Sequence, residues 1–210
     1  VVLPIDLEQY QNANEWTKKV LAKFNRIDIL INNGGVSQEG YALNTSTEVE
    51  QKIMNINYFG NVALSKAVAP IMQNQKSGKI AIITSIVGKF GQAGLSTYAA
   101  SKHALYGFYD SFRLELKKHN IPILLVSPGF INTNVTLNAI TGNGSPFNKN
   151  SPAQENGMKT DIFATKFIRT LKSNSYHKYI GNKELLAIPF KTFLPTIFYN
   201  LIYKMSNKKK

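Results

Sequence analysis

The chain has 210 residues, 43% of them hydrophobic, which suits one globular domain. It contains no cysteine, and this excludes disulfides, thiolate nucleophiles and cysteine-based metal sites. The formal charge is +13, but the sequence has no nucleic-acid-binding motif, so we expect the basic residues to serve an anionic cofactor or a membrane surface rather than nucleic acid.

The first five residues are mostly apolar and predict a buried strand. Asp6 and Leu7 follow at its carboxyl end, where open α/β sheets bind ligands. Asp6 could also cap the amphipathic helix predicted over 8–25, and the two roles are compatible. No glycine-rich phosphate loop precedes Val1, so we expect an amino-terminally truncated fold with an unpaired strand edge at residues 1–5. Weak dinucleotide binding by these 210 residues alone is the expected consequence.

A second apolar strand, predicted over 27–31, runs into Asn32-Asn33-Gly34-Gly35. Small residues at such a place let a ligand approach the backbone closely. An ordinary Asn-Gly turn is the alternative interpretation.

A long helix is predicted from 47 to about 75, with Thr47 and Glu50 as its capping box. Asn57 lies in the middle of this helix. Because asparagine is a weak helix former, its position indicates a functional role. A solvated or capping asparagine is the alternative.

The apolar run over 79–84 predicts a strand that delivers Ser85. Tyr98 and Lys102 lie four residues apart in a helical apolar pattern, so their side chains face the same way. A nearby ammonium lowers the pKa of a tyrosine hydroxyl, which makes Tyr98 a candidate proton donor or base. Ser85 would hold the same substrate oxygen. A chance Tyr-x-x-x-Lys spacing on a helix surface is the alternative.

The continuous apolar run over 121–127 predicts a strand of a parallel sheet covered on both faces, closed by Pro128-Gly129. Residues 134–159 are rich in Asn, Gly, Ser and Pro and predict a mobile substrate lid, with a disordered insertion as the alternative. A helix over 161–171 and a last strand over 176–180 follow. The three histidines show no metal-ligand spacing, and we expect no metal site.

These motifs resemble, in order and over the whole chain, those of the short-chain dehydrogenase/reductase family. The matching motifs are Asp6-Leu7, Asn32-Asn33-Gly34-Gly35, Asn57, Ser85, Tyr98-x-x-x-Lys102 and Pro128-Gly129-Phe130-Ile131-Asn132-Thr133. The family usually has Ala where Gly34 stands. Within the family, three stretches resemble the dehydrogenase/reductase member 7B group: Ser85-Ile86-Val87-Gly88-Lys89-Phe90, Ala100-Ser101-Lys102-His103-Ala104 and Asn138-Ala139-Ile140-Thr141.

The resemblance implies an α/β fold with a doubly wound parallel sheet of the Rossmann type. It also implies an NAD(P)-dependent oxidoreductase that interconverts a carbonyl and a secondary alcohol, on a lipid-like or other apolar substrate. NADP is the expected cofactor, with NAD as the alternative, and a homo-oligomer is expected.

The resemblance also implies a role for each site residue. Tyr98 would donate or accept the proton, and Lys102 would lower its pKa and hold the nicotinamide ribose. Ser85 would orient the substrate oxygen, and Asn57 would sustain a water relay to Lys102. The cofactor contacts would come from Asp6, Leu7, Asn33, Gly34, Gly35, Tyr98, Lys102, Pro128, Gly129, Ile131 and Thr133.

We predict a catalytic domain over 1–185 and an apolar, basic tail over 186–210. The tail predicts either a helix packed on the domain or on a second copy, or an interfacial helix with lysines at lipid headgroups. Pro189 and Pro195 argue against a single straight helix. A cytoplasmic location is expected, with membrane association through the tail. A catalytically silent nucleotide-binding fold, used as a binding or peripheral membrane module, is the alternative function.

Overall fold

A computed structural model describes residues 1–207, so the predicted basic run Lys208 to Lys210 lies outside the described residues. At its centre is a four-stranded parallel sheet. Its strands are, in spatial order, β1 (Ile29–Asn32), β3 (Lys79–Ile83), β4 (Ile123–Pro128) and β6 (His177–Ile180). Two short parallel strands lie outside it, β2 (Gln38–Glu39) and β5 (Ile140–Thr141).

Helices cover both faces of the sheet, as a doubly wound fold requires. They are α1 (Ala13–Phe24), α2 (Thr47–Met54), α3 (Asn61–Gln75), α4 (Ser96–Leu116), α5 (Pro152–Glu155), α6 (Thr160–Leu171), α7 (Ala187–Phe193) and α8 (Pro195–Asn207). On β3, Ile80 and Ile82 face a cluster with α3 and α4, whereas Ala81 faces α6. Successive strand residues point to opposite faces, so a strand covered on both sides is apolar throughout. The predicted fold class is confirmed.

The predicted strand over residues 1–5 is wrong. These residues form no strand, and Val1 and Val2 are 91% and 89% exposed. Apolar residues form a strand only beside another strand that takes their backbone hydrogen bonds, and no described residue offers one here. The exposed edge of the sheet is β1 instead, where Ile29 and Ile31 are about half exposed.

The starts of two helices differ from the sequence prediction. A 3-10 turn over Leu7–Asn12 precedes α1, and Asp6 caps it by accepting the Glu8 N–H at 3.0 Å, so the capping role of Asp6 is confirmed. The long helix begins with Ser46 as its cap, because the Ser46 hydroxyl accepts the Val49 N–H. The predicted capping box at Thr47 is therefore wrong by one residue.

The tail consists of helices α7 and α8 with a break at Leu194, as the two prolines predicted. Phe198 is 2% exposed and packs between Phe90 and Phe190, so the inner face of α8 joins the hydrophobic core. Within residues 1–207, no helix has both the length and the apolar character needed to cross a membrane.

Candidate active site

Ser85, Tyr98 and Lys102 meet where β3 ends beside the start of α4. Ser85 lies two residues after the end of β3 and caps the next turn by accepting the Val87 N–H at 3.3 Å. Tyr98 and Lys102 lie one turn apart on α4, and the Lys102 Nζ is 5.7 Å from the centre of the Tyr98 ring. With Asn57, these residues form what we call the Tyr98 cluster.

Lys102 is almost completely buried, at 5% exposure, and its ammonium donates to the Ile83 carbonyl at 3.2 Å. Burial lowers the pKa of Lys102 to about 8. Burial also raises the pKa of Tyr98, and a hydrogen bond with Ser85 offsets part of that increase. At neutral pH the site therefore combines a largely protonated lysine with a neutral tyrosine.

Asn57 lies in a π-helical turn over Asn55–Gly60 that separates α2 from α3. Such turns are rare and often occur at functional sites. The Asn57 side chain is fully buried, which excludes the solvated alternative. Its Oδ1 accepts the Val36 N–H at 2.8 Å, and its Nδ2 donates to the Val36 carbonyl and to the Ser101 hydroxyl. Ser101 in turn donates to the Tyr98 carbonyl at 2.7 Å, so Asn57 is linked to α4.

The Asn32-Asn33-Gly34-Gly35 motif has a buried and an exposed part. Asn32 is buried, and its side-chain nitrogen lies within 3.1 Å of the Asn61 carbonyl, the Ser65 hydroxyl and the Tyr109 hydroxyl. The next three residues are exposed. Asp6, Asn33, Gly34 and Gly35 form an exposed surface that we call the Asn33 face.

Neighbouring side chains pack closely against the two glycines of the Asn33 face. A Cβ at Gly35 would lie 2.9 Å from Asn57 Oδ1 and 3.6 Å from Lys102 Nζ. A Cβ at Gly34 would lie 2.6 Å from the end of the Leu7 side chain. The absence of a side chain at Gly35 therefore lets Asn57 and Lys102 approach the backbone of the Asn33 face.

The Pro128-Gly129 turn is supported from below by Glu184. This carboxylate accepts the Phe130 N–H at 3.1 Å and the Asn182 N–H at 2.9 Å. A Cβ at Gly129 would overlap the end of the Glu184 side chain, so a larger residue there would displace this carboxylate. No motif pointed to Glu184, because its partners are backbone groups 54 residues and two residues away.

Ile131 and Thr133 are contacted by Gln154, a residue of the predicted lid. Gln154 Nε2 donates to the Ile131 carbonyl and lies 3.3 Å from the Thr133 hydroxyl. A backbone bridge between Ile131 and Met158 ties the end of the same segment to this turn. Its first half is held too, because β5 pairs with β2. Lid mobility stays a prediction, but the segment is structured at both ends.

Gln38 is a site residue that sequence reasoning missed. Its fully buried side-chain oxygen accepts the N–H groups of Thr97 and Tyr98, at 2.8 and 3.2 Å. It thus caps the first turn of α4, where Leu95 occupies the usual capping position and cannot accept a hydrogen bond. The sequence carried no signal for it, because Ser96 and Thr97, two residue types that commonly cap helices, directly precede Tyr98.

An apolar cleft of about 450 Å³ lies beside the loop that joins Ser85 to Tyr98. Residues 91–96 form one side, and α8 forms the other. Its side-chain lining includes Tyr41, Tyr199, Ile202 and Tyr203. In the described part of the chain, no group of three or more His, Asp or Glu side chains could hold a metal ion.

The chain is similar in sequence to a known protein family and to several of its members. A family model described as short chain dehydrogenase matches residues 1–143. The chain is 37% identical over 208 residues to the dehydrogenase/reductase SDR family protein 7-like of Drosophila melanogaster, covering 99% of this chain and 64% of that protein. It is 35% identical over 205 residues to dehydrogenase/reductase SDR family member 7B of Xenopus laevis, covering 97% and 64%. The chain therefore spans slightly less than two thirds of these relatives.

A solved short-chain dehydrogenase from Streptomyces avermitilis has the same fold. It superposes with a TM-score of 0.80 at 22% identity, over 99% of this chain and 80% of that one.

Proposed function

The chain belongs to the short-chain dehydrogenase/reductase family, with relatives of the member 7 type, and from this membership we propose that it interconverts a carbonyl and a secondary alcohol by NAD(P)-dependent hydride transfer. The observation that carries the proposal is the Tyr98 cluster, in which Ser85, Tyr98 and Lys102 converge at the carboxyl end of β3. Ligands bind at this end of the strands in open α/β sheets.

In the proposed reduction, Tyr98 donates its proton to the substrate oxygen. Burial keeps its hydroxyl neutral at pH 7, which is the form that a proton donor needs. The Lys102 ammonium and the Ser85 hydroxyl then stabilise the phenolate that remains. Asn57 holds the Val36 backbone and Ser101 in place, so we assign it a supporting position rather than a direct contact.

The nicotinamide cofactor would supply or accept the hydride, and two groups of residues would hold it. One group is the Asn33 face together with Leu7; the other is Pro128, Gly129, Ile131 and Thr133. The close approach of Lys102 to the Gly35 backbone, which links the Asn33 face to the Tyr98 cluster, supports this arrangement. We propose NADP rather than NAD because the chain carries a formal charge of +13, which favours the extra phosphate.

We propose an apolar, lipid-like substrate because the cleft beside the Ser85–Tyr98 loop is lined by tyrosines and Ile202. The test is a NADPH and NADH oxidation assay of the full-length protein with aldehydes and ketones of increasing chain length. Each buried methylene contributes about 0.8 kcal/mol, so kcat/KM should rise up to about fourfold per methylene. A series that shows no dependence on length contradicts the apolar substrate, and no turnover of any carbonyl contradicts the enzyme function.

A second candidate function is supported by the outer face of the tail. Phe193 is 80% exposed, and Ile197, Leu201 and Met205 are about half exposed, while Lys191 and Lys204 lie on the same helices. Large contiguous apolar surfaces of this kind mark interaction sites. We propose that this face rests on an anionic membrane surface, which would make the protein cytoplasmic and membrane-associated.

Vesicle sedimentation tests the membrane proposal. Binding to vesicles that contain phosphatidylserine should be lost in the variant Ile197→Glu and weakened by salt. The control Leu114→Glu, on an exposed apolar residue of α4, should bind normally. If Ile197→Glu instead dissociates a dimer in solution while vesicles bind neither protein, the tail face pairs two copies, as the expected homo-oligomer requires. Vesicle binding without turnover would favour the catalytically silent alternative.

A further inference from the structure

A buried group of polar side chains lies directly beneath the Tyr98 cluster, where β3, β4, β6 and α4 meet. Its members are Thr84, Tyr106, Ser127 and His177. Three of them are less than 10% exposed, and His177 is partly buried. The Ser127 hydroxyl is the centre of the group: it lies 2.8 Å from Thr84 Oγ1 and 2.8 Å from His177 Nε2, and it also contacts the Tyr106 hydroxyl. We call these residues the Ser127 network.

Counting protons gives the direction of each bond. The Thr84 hydroxyl also lies 2.9 Å from the Val126 carbonyl, so the network has four contacts of 2.9 Å or less, to which the proton count applies. The Tyr106 hydroxyl makes two longer contacts, to Thr84 Oγ1 at 3.2 Å and to His177 Nε2 at 3.4 Å. The three hydroxyls supply three protons, and the fourth must come from His177 Nε2. His177 Nε2–H then donates to Ser127, Ser127 donates to Thr84, and Thr84 donates to Val126. Tyr106 donates to the second lone pair of Ser127.

The surroundings of His177 agree with a neutral ring that carries its proton on Nε2. Burial lowers the pKa of His177 to about 4, and the positive charges of Lys89 and Arg113 act in the same direction, whereas Asp110 opposes them. The rings of Tyr106 and Tyr179 pack against the imidazole on two sides. A neutral imidazole has a single N–H, and the network uses it.

The Ser127 network ends at the residue that separates two functional groups. Thr84 lies between Ile83, whose carbonyl accepts from Lys102, and Ser85, which bonds Tyr98. Tyr106 is one turn beyond Lys102 on α4, and its ring closes against Gly88 in the turn after Ser85. Any movement of Thr84 therefore moves both partners of the Tyr98 and Lys102 pair.

We propose that Tyr106, Ser127 and His177 are positioning residues that fix Thr84, so that Ile83 holds Lys102 and Ser85 holds the Tyr98 hydroxyl. A purely structural cluster would only satisfy buried polar groups and contribute to stability. The positioning role makes an additional claim, because it links β6, far along the chain, to proton transfer. The effect of this positioning role on kcat rests on the proposed function, whereas its effect on the pKa of Lys102 does not.

The kinetic test compares His177→Phe with His177→Gln in the full-length protein. Phenylalanine keeps the ring but removes the donor, and a misplacement of catalytic groups lowers kcat by up to about 100-fold. Glutamine places an N–H at a similar reach and should restore kcat to within a few-fold. The KM for NADPH should stay unchanged in both. His103→Phe, on an exposed histidine of the same helix as Tyr98, is the matched control.

A second measurement needs no substrate and separates this proposal from the proposed function. The pKa of Lys102 is followed by 13C NMR of its side chain, assigned with Lys102→Met. It is about 8 in the wild type, and loss of the Ile83 carbonyl as acceptor should lower it further in His177→Phe but not in His177→Gln.

The two measurements distinguish a positioning role from a purely structural role of the Ser127 network. A lower Lys102 pKa in His177→Phe, restored in His177→Gln, supports the positioning role even if the protein turns over no carbonyl. An unchanged Lys102 pKa and unchanged kcat in a folded, less stable His177→Phe would show that the network is structural only, and overturn the proposal. Should His177→Phe fail to fold, Ser127→Ala breaks the same chain of bonds at its centre and is read by the same criteria.

Discussion

The Tyr98 cluster and the Asn33 face lie side by side but are held in opposite ways. The side chains of Asn57 and Lys102 are buried, and each is bonded to groups of the protein. The Asn33 face is exposed, and its shape comes from missing side chains at Gly34 and Gly35. One region is therefore fixed before any ligand binds, whereas the other is a backbone surface that a ligand would complete.

The largest effect is expected from Tyr98→Phe, which removes one hydroxyl from the fixed region and keeps the ring. General acid catalysis contributes about 10²–10⁴-fold, so kcat should fall by that factor while the melting temperature stays the same. Steady-state kinetics and thermal unfolding measure both. The control Tyr176→Phe removes a hydroxyl from a residue that is 63% exposed and should change neither. Retention of more than half the wild-type rate in Tyr98→Phe would refute the assignment.

Lys102→Met should affect both regions, because Lys102 belongs to the cluster and lies next to Gly35. An ammonium favours the phenolate of Tyr98, so Lys102→Met should slow alcohol oxidation most below about pH 8, where the wild-type lysine is protonated, and less above it. In the wild type this support fades as the pH rises through about 8, where Lys102 loses its proton. Cofactor affinity should also fall. An unaltered pH profile with normal affinity would make Lys102 a structural lysine.

The sequence predicted the features that depend on local patterns. The buried strands β3 and β4 follow from continuous apolar runs, and Tyr98 and Lys102 share a helix face because of their spacing. The break between α7 and α8 likewise follows from proline chemistry.

The sequence did not predict the features that depend on contacts between residues far apart in the chain. Residues 1–5 have the composition of a strand, but a strand also needs a neighbour. Gln38 caps α4 from about 60 residues away, and Gln154 reaches Ile131 from a segment predicted as a mobile lid. The Ser127 network joins four elements, and no single stretch of sequence contains its pattern.

Gln38→Leu should have an intermediate effect, because Gln38 lies outside the Tyr98 cluster but caps the helix turn that carries Tyr98. It removes the acceptor for the Thr97 and Tyr98 N–H groups and leaves both donors buried. Loss of a helix cap typically costs about 1–2 kcal/mol, so the free energy of unfolding should fall by that amount in urea denaturation. The kcat should decrease several-fold, because Tyr98 lies in the loosened turn. Gln51→Leu, on an exposed glutamine of α2, should leave both quantities unchanged.

The smallest effect is expected on the Asn33 face from Gly34→Ala, which forms a matched pair with Gly35→Ala. Neither glycine has a positive φ, so alanine strains neither backbone. At Gly34 the new Cβ meets only the end of the Leu7 side chain, which can rotate away. Gly34→Ala should therefore change neither the melting temperature nor NADPH affinity by a measurable amount.

At Gly35 the new Cβ meets Asn57 Oδ1 at 2.9 Å, and the Val36 N–H holds that oxygen at 2.8 Å. The Tyr98 cluster must therefore shift, and overpacking of this kind lowers the free energy of unfolding by about 1–3 kcal/mol. Thermal unfolding and calorimetric titration with NADPH, both on the full-length protein, should show a loss only in Gly35→Ala. Equal behaviour of the two variants would mean that Asn57 is as free to move as Leu7. The Tyr98 cluster would then be no more rigid than the Asn33 face at Gly35, where the two regions meet.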